Sequence, residues 1–291
     1  MESFIYLIRL GYSLIMLGQQ PNSLALDNDN GRITYDDTGG SGQCVVCLPG
    51  MGQLRSIYRL VVPRLKDAGF RVITMDVRGM GDCSPTWNDY SELAIASDVI
   101  ALLGRLGAGP VAIIGNSISA GAAVCIGADR PELVSRLVLV GPFVRQVPIS
   151  SWKKLTFKLA LAGPWGVGTW VNYQSKNLYP ASKPSDLAEY NLALKRNLQE
   201  PGRMGAFRRM AATDHRAAES RLDRVRLPVL VLMGGADPDF PDPTTEAKLV
   251  ADRLHGEAVV LPGLGHYPQA ERPDEFLGRV LPFLGGNQDD S

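Results

Sequence analysis

The chain of 291 residues is long enough for one large domain, or for a domain that carries an insertion. Its 30 Lys and Arg residues balance 30 Asp and Glu residues, so the formal net charge is zero. A protein that binds nucleic acid should carry a basic surface, and this balance therefore argues against nucleic acid as a partner. It also gives no electrostatic reason to expect an acidic membrane as a partner.

The first 22 residues form an apolar extension, in which the run at residues 4–17 is interrupted by Arg9. This run is shorter than the roughly 20 residues that a transmembrane helix needs, so we expect no stable membrane insertion. Glu2 stands where a signal peptide carries positive charge. We predict an extra helix docked on the domain or a poorly ordered extension, with association of residues 4–17 with a membrane surface as the alternative.

A hairpin of two alternating strands is predicted first, in "SLALDNDNGRITYDDTG". Six short runs rich in Val, Ile and Leu follow: "CVVCLP", "RVITMDV", "VAIIGN", "LVLVGP", "VLVLMG" and "AVVLPG". Continuous apolar runs of this length are typical of parallel strands that are buried on both faces. Amphipathic patterns such as "YSELAIASDVIALLGRLG" separate them. This alternation predicts an α/β fold with a doubly wound, mostly parallel sheet.

The four cysteines give no sign of a disulfide framework. Cys44 and Cys47 lie in a predicted strand, where positions three apart point to opposite faces. We therefore interpret "CVVC" as a buried strand rather than as a redox or metal-binding motif. Cys83 and Cys125 have no partner that the sequence identifies. A reducing compartment, the cytoplasm, is expected.

One interval interrupts the alternation of strands and helices. Roughly 80 residues separate "LVLVGP" from "LPVLVLMG", whereas an ordinary connection has about 2–6. The interval contains helical patterns and no run that is typical of a strand. We predict an inserted helical cap at residues 144–226, on an α/β core formed by residues 23–143 and 227–288.

The segment "GNSISAG" holds two candidate nucleophiles. A strand is predicted to end at Gly115 and a helix to resume at Ile118, so the sharp corner between them falls on Ser117. A serine at such a corner, in a G-x-S-x-G turn, presents its hydroxyl for nucleophilic attack. Ser119 falls in the first helical turn, where the motif has its second glycine. We predict Ser117 as the nucleophile.

A serine hydroxyl needs a base to become nucleophilic at neutral pH. His266 lies between the last predicted strand and the last helix, where a doubly wound fold places its site residues. His215 and His255 are predicted to be structural or solvated. Asp237, the first carboxylate after the preceding strand, is predicted to orient His266, with Asp239 in reserve.

Two backbone amides are predicted to form an oxyanion hole. One is the N–H of Ile118, next to the nucleophile. The other is the N–H of Met51 in "LPGMGQ", where the glycines at 50 and 52 let the backbone approach a substrate closely.

Together these motifs resemble the α/β-hydrolase superfamily, in the branch with a serine nucleophile and a helical cap. The resemblance covers Ser23 to Leu284 and rests on "LPGMG", "DVRGMGDCS", "GNSIS", "GADPDF" and "GHYPQAERPDEF". It implies a hydrolase that needs no cofactor and no metal. The sequence departs from the family pattern at two positions: Pro49 stands where many relatives have histidine, and Ser119 replaces the usual glycine.

We therefore predict a cofactor-free serine hydrolase that cleaves a carboxylic ester or lactone of a small apolar molecule through an acyl-enzyme. One alternative is hydrolysis of a C–C bond in a ring-fission product, which would use the same residues. Another is a binding or signalling module with low turnover. Four cap residues are predicted to form the wall of an apolar substrate pocket: Trp152, Phe157, Trp165 and Trp170. The sequence leaves open whether the chain forms a homo-oligomer.

Overall fold

A computed structural model describes residues 23–28, 31–146 and 151–285. The predicted N-terminal extension, its alternative membrane contact at residues 4–17 and the tip of the first hairpin lie outside the described residues. Within the described ranges, no helix is both long enough and apolar enough to cross a membrane.

An eight-stranded sheet organises the described chain, with the strands in the order β1-β2-β4-β3-β5-β6-β7-β8. The first two pairings, β1 with β2 and β2 with β4, are antiparallel, and the other pairings are parallel. The strands are β1 Leu24–Asn28, β2 Gly31–Asp37, β3 Cys44–Leu48, β4 Arg71–Met75, β5 Val111–Asn116, β6 Val134–Val140, β7 Val229–Gly234 and β8 Glu257–Leu261. The predicted hairpin and the predicted mostly parallel sheet are both confirmed.

The centre of the sheet is buried on both faces because helices cover it on each side. Every residue of β5 and β7 is buried. Val46, Ile113 and Leu137 lie side by side across three neighbouring strands, and none of them is exposed to solvent. Burying one such side chain stabilises the fold by about 1.5–3 kcal/mol. The sheet therefore gives the loops at its carboxyl edge a rigid base.

Helices connect the strands. In chain order they are α1 Val62–Asp67, α2 Glu92–Leu106, α3 Ile118–Asp129, α4 Ser151–Ala162, α5 Gly166–Asn177, α6 Leu187–Gln199, α7 Arg203–Ala211, α8 Arg216–Glu219, α9 Pro243–Leu254, α10 Pro268–Glu271 and α11 Pro273–Gly285. Short 3₁₀ turns occupy Arg55–Tyr58, Pro131–Leu133 and Leu222–Arg224.

The helical boundaries follow from local chemistry. α2 begins after Ser91, whose side chain accepts a hydrogen bond from the Ala94 N–H, and it ends at Gly107 with φ of 56°. The pattern "SIYRLVVPRLKDAG" forms a 3₁₀ turn and then α1, with Pro63 in the first helical turn. Proline is tolerated in the first turn because the N–H that it lacks would have no acceptor inside the helix at that position.

The helices α4 to α8 lie between β6 and β7, in the predicted cap. α5 was not among the helical patterns in the sequence, since Gly166 and Gly168 lower its helix propensity. Its formation depends on tertiary packing, because it buries Trp170 and Gln174 against the rest of the protein. This helix contacts the site described below through Trp170 and Tyr173.

Candidate active site

Ser117 lies at the corner between β5 and α3, with φ of 59° and ψ of −123°. Among the described non-glycine residues, only Ser117 and His255 have a positive φ. Such a backbone is strained for an L-residue and persists only when its surroundings hold it. A hydrogen bond of 2.9 Å from the Ser117 N–H to the carbonyl of Val140 contributes to this restraint.

The corner is tight enough to require a glycine two residues before Ser117. A Cβ atom on Gly115 would lie 2.6 Å from the carbonyl oxygen of Ser119, closer than real Cβ contacts. Ser119 itself is fully buried, and its Oγ donates a hydrogen bond of 2.6 Å to the carbonyl of Pro49. The Ser119 hydroxyl therefore holds α3 against the loop after β3, whereas Ser117 occupies the strained corner.

Asp237 follows β7 and His266 follows β8, and the structure brings their side chains together. His266 Nδ1 lies 2.6 Å from Asp237 Oδ2, and both side chains are almost completely buried. Gly141, which follows β6, gives this pair its space, since a Cβ there would lie 3.0 Å from the imidazole Nδ1. The contact fixes Nδ1 on the carboxylate and leaves Nε2 available to other groups.

A second carboxylate faces the same imidazole. Asp239 Oδ2 lies 3.9 Å from His266 Nδ1. Burial by itself lowers the pKa of His266, but the charge of Asp237, its hydrogen bond and the charge of Asp239 together raise this pKa to about 9. Burial and the charge of Asp237 likewise raise the pKa of Asp239. Asp239, the reserve candidate, therefore tunes the histidine without making the short contact.

Two short links tie the loops of the site to one another. Asn116 Nδ2 donates hydrogen bonds to the carbonyls of Val140, at 3.0 Å, and of His266, at 3.2 Å. The loop "LPGMG" passes directly beside the corner at Ser117, because a Cβ on Gly50 would lie 2.9 Å from Ser117 Cβ and 3.5 Å from its Oγ. Asn116 is thus bonded to the loop that carries His266. The lack of a side chain at Gly50 allows the loop after β3 to lie against Ser117.

Both predicted oxyanion-hole amides lie in this region. Within the described chain, the Met51 N–H donates to no other group. Ile118 is the first residue of α3, a position whose N–H has no acceptor inside its helix. A developing oxyanion needs two backbone N–H donors that are not already engaged.

One face of α5 contacts two loops of the site, the loop after β3 and the loop after β7. Trp170 Nε1 donates a hydrogen bond of 3.0 Å to the carbonyl of Gly52, in the loop of Met51. Tyr173 donates a hydrogen bond of 2.7 Å to Asp239 Oδ1. The cap thus contacts the loop after β3 and the acidic loop after β7 through residues one helical turn apart.

Of the four aromatic residues predicted to wall the pocket, only Trp170 is buried beside the site. The side chains of Trp152, Phe157 and Trp165 are exposed, with 72%, 36% and 60% of their surface accessible. The prediction that these three residues line an apolar substrate pocket therefore stays a prediction, and in this structure their side chains face solvent. Among the described side chains of α4, Leu161 is the one that is buried.

Other aromatic residues surround His266 instead. The ring centroids of Phe143, Phe240 and Tyr267 lie 6.0, 6.5 and 5.1 Å from the imidazole centroid. Sequence reasoning missed all three residues. Each of them lies shortly after a strand, where the carboxyl ends of parallel strands meet at one edge, and this position was the available signal.

Residues 45–279 match the family model described as "Alpha/beta hydrolase family". Because the match covers most of the chain, the protein belongs to the α/β hydrolase family and is an enzyme of that family. The strand order and the turn at Ser117 are those that such a family places around its site.

Curated relatives cover most of the chain. The "Putative carbamate hydrolase RutD" of Rhizobium rhizogenes is 29% identical, over 82% of this chain and 92% of its own length. The sn-1-specific diacylglycerol lipase ABHD11 of Mus musculus is 26% identical, over 82% and 80%. The 2-hydroxy-6-oxononadienedioate/2-hydroxy-6-oxononatrienedioate hydrolase of Cupriavidus pinatubonensis is 27% identical, over 87% and 91%.

Solved structures show the same fold. The bromoperoxidase from Bacillus anthracis superimposes with a TM-score of 0.76 at 22% identity, covering 90% of this chain and 99% of its own. Likeness at this identity shows the fold, and the chemistry has to be argued from the site itself.

Proposed function

We propose that the protein is a serine hydrolase that cleaves a carboxylic ester or lactone of a small apolar molecule through an acyl-enzyme. The observation that carries this proposal is the buried contact of 2.6 Å between His266 and Asp237, next to the strained corner at Ser117. A buried histidine oriented by a carboxylate is the base that a serine hydroxyl requires.

The reaction would proceed in two halves. Ser117 Oγ attacks the substrate carbonyl carbon while His266 Nε2 accepts the hydroxyl proton, and the carbonyl oxygen becomes an oxyanion. The proton then passes from His266 to the departing alcohol oxygen, which leaves an acyl-enzyme. Water repeats the sequence, giving its proton to His266 and releasing the acid and Ser117. Asp237 stabilises the imidazolium in both halves.

The N–H groups of Met51 and Ile118 would hold the oxyanion. Their position supports this role, since the loop of Met51 passes beside Ser117 and Ile118 follows it directly. Removing one such donor typically lowers kcat by about 10²–10³-fold. An alternative in which these amides only close a turn predicts no such sensitivity of kcat to the loop.

The surroundings of the base favour an apolar substrate. Phe143 and Phe240 pack against each other with their ring centroids 4.8 Å apart, and both lie close to His266. Desolvating a charged acyl group among these rings would cost free energy that an uncharged group does not pay. We therefore expect uncharged acyl groups of small to medium size.

Hydrolysis of a C–C bond is the second candidate. It would use the same serine, histidine and oxyanion amides on a diketone-like ring-fission product. The Cupriavidus relative, whose name specifies a hydrolase of an oxo-dienedioate, favours it. A binding module with low turnover would keep the same geometry without product release.

A fluorophosphonate probe and a panel of p-nitrophenyl esters and lactones test the proposal. We expect the wild type to be labelled and to turn over esters or lactones, and Ser117→Ala to lose both properties. Ser119→Ala tests the other serine: it should still be labelled and should keep measurable, though reduced, turnover, because its hydroxyl bonds Pro49.

Labelling of the Ser117→Ala variant would contradict the assignment of the nucleophile. A wild type that folds but is not labelled would favour the binding module. Turnover of a ring-fission diketone without turnover of any ester or lactone would favour the second candidate.

A further inference from the structure

Charge is divided unevenly between the cap and the rest of the chain. The cap, residues 144–226, contains fifteen Lys and Arg residues against six Asp and Glu residues. The rest of the chain contains fifteen against twenty-four. The net charge of zero thus conceals a strongly basic cap on an acidic core. Such a distribution orients a protein toward an anionic partner through its cap.

The basic character is most consistent at the start of the cap. No Asp or Glu occurs anywhere between Glu132 and Asp186. Within this stretch, α4 alone contains three lysines, at positions 153, 154 and 158, and the side chain of Lys158 is exposed. An anionic partner would therefore meet no acidic side chain along this helix.

The same helix exposes large apolar side chains. Five of the eight exposed large apolar residues in the described chain fall between positions 152 and 165. Among them, the fractional exposure is 72% for Trp152, 57% for Leu159 and 60% for Trp165. Such a concentration of exposed large apolar side chains in one short segment indicates an interaction surface, whereas single apolar residues scattered over a surface do not.

Helical spacing places three of these exposed residues on one side of α4. Trp152, Leu155 and Leu159 are separated by three and four residues, so they share one face, which we call the α4 outer face. Leu161 lies on the opposite side of the helix and is almost completely buried. Trp165 follows in the turn after α4. The α4 outer face therefore points away from the protein.

A lysine-rich helix with apolar residues along one face is typical of helices that lie in a lipid interface. Trp residues favour the boundary between acyl chains and headgroups, and lysine stems can extend toward phosphate groups. Nucleic acid would use the lysines but leave the leucines exposed to water. Contact between two copies through this face would bring two basic caps together, which their charge opposes.

We propose that the α4 outer face and Trp165 dock the protein reversibly on an anionic phospholipid surface. The side chains would enter the headgroup region without crossing the bilayer. The exposed Lys158 of α4 would face the lipid phosphates, and the acidic core would face away from the membrane. The proposal does not depend on the reaction catalysed at Ser117.

Vesicle binding by the full chain tests the proposal. The protein is mixed with vesicles of phosphatidylcholine alone, or of phosphatidylcholine with phosphatidylglycerol, and bound protein is measured by sedimentation. We expect at least roughly tenfold stronger binding to the anionic vesicles, weakened by added NaCl. Tryptophan fluorescence should shift to the blue on binding, since Trp87 and Trp170 are already buried and Trp152 and Trp165 are not.

A matched pair of variants locates the contact. The test variant combines Trp152→Ser, Leu155→Ser and Leu159→Ser, and the control combines Leu24→Ser with Leu93→Ser, which are also exposed but lie on the core. All five positions are at the surface, so both variants should fold, which circular dichroism checks. We expect the test variant to lose at least about tenfold in affinity for anionic vesicles and the control to keep wild-type affinity.

Several results would overturn the proposal. Equal binding of the test variant and the wild type would place any membrane contact elsewhere, including residues 4–17. Equal binding to neutral and anionic vesicles, or no binding to either, would also overturn it. Loss of self-association in the test variant, measured by sedimentation velocity, would instead identify a second copy as the occupant. Tighter binding to DNA than to anionic vesicles would identify nucleic acid.

Discussion

Ser119 donates a hydrogen bond of 2.6 Å from its Oγ to the carbonyl oxygen of Pro49. These are the two positions at which the sequence departs from the pattern of the family. The Ser119 side chain is fully buried, and its bond joins the first turn of α3 to the loop that precedes Met51. The two departures therefore form a single contact between the nucleophile helix and the proposed oxyanion loop.

Replacing this hydroxyl should affect both stability and turnover. Ser119→Ala leaves the buried Pro49 carbonyl without its donor, which we expect to lower the free energy of unfolding by about 1–3 kcal/mol. Because the oxyanion loop also loses a restraint, kcat should fall while KM changes little. Urea denaturation and steady-state kinetics measure the two effects. Ser97→Ala is the control, since Ser97 is exposed and its hydroxyl bonds a carbonyl within its own helix, far from the loop of Met51 in the sequence. Equal effects in both variants would contradict the prediction.

The cap should also influence the oxyanion loop. Trp170→Phe keeps an aromatic ring but removes the N–H that donates to the Gly52 carbonyl. We expect kcat to fall by roughly tenfold, which corresponds to about 1.4 kcal/mol, with KM nearly unchanged. The exposed Trp165→Phe is the matched control, assayed with a soluble ester. A loss confined to KM would show that Trp170 binds substrate instead of positioning the loop.

Asp237→Asn tests which carboxylate orients the histidine. The amide cannot accept the Nδ1 proton in the same way or stabilise the imidazolium. We expect kcat to fall by on the order of 10³–10⁴-fold, while the circular dichroism spectrum stays that of the wild type. Near-normal turnover would transfer the role to Asp239, whose carboxylate lies 3.9 Å from the same nitrogen.

Turnover should be fastest at alkaline pH. An unperturbed histidine has a pKa of about 6.5. The carboxylates of Asp237 and Asp239 raise the pKa of His266 to about 9 against the opposing effect of burial. Only neutral His266 accepts the Ser117 proton, so kcat/KM should rise with pH to a midpoint near 9. Because the folded pKa is raised, protonated His266 also stabilises the fold fully below pH of about 6.5, and this contribution is lost as pH rises toward 9.

Asp239→Asn distinguishes the effect of Asp239 on the pKa of His266 from the effect of Asp237. Removing its charge should move the midpoint of kcat/KM to lower pH, and the asparagine oxygen can still accept the hydrogen bond from Tyr173. Asp252→Asn, on the exposed side of α9, is the control and should leave the midpoint in place. A wild-type midpoint near 6.5 would contradict the role assigned to both carboxylates.

Several features of the protein could be predicted from short stretches of sequence. The buried strands, the helix α2 with its glycine end and the placement of Ser117 at a corner all follow from local periodicity and turn chemistry. The loops after β7 and β8 were recognisable as site loops because parallel strands direct their carboxyl ends to one edge. The helix α5 was not predicted, since its glycines oppose a helix that only burial of Trp170 and Gln174 stabilises.

The sequence by itself determined the α/β sheet, the order of Ser117, Asp237 and His266, and the basic composition of the cap, because each follows from local periodicity, from the order of short motifs or from composition, none of which requires a contact between distant residues. Only the tertiary structure decided which aromatic rings surround His266 and which face solvent. It also decided that Ser119 bonds Pro49, that Trp170 bonds Gly52 and that a second carboxylate faces the imidazole. The partners in the first two contacts are 70 and 118 residues apart, so they meet only when the packed sheet and cap bring them together.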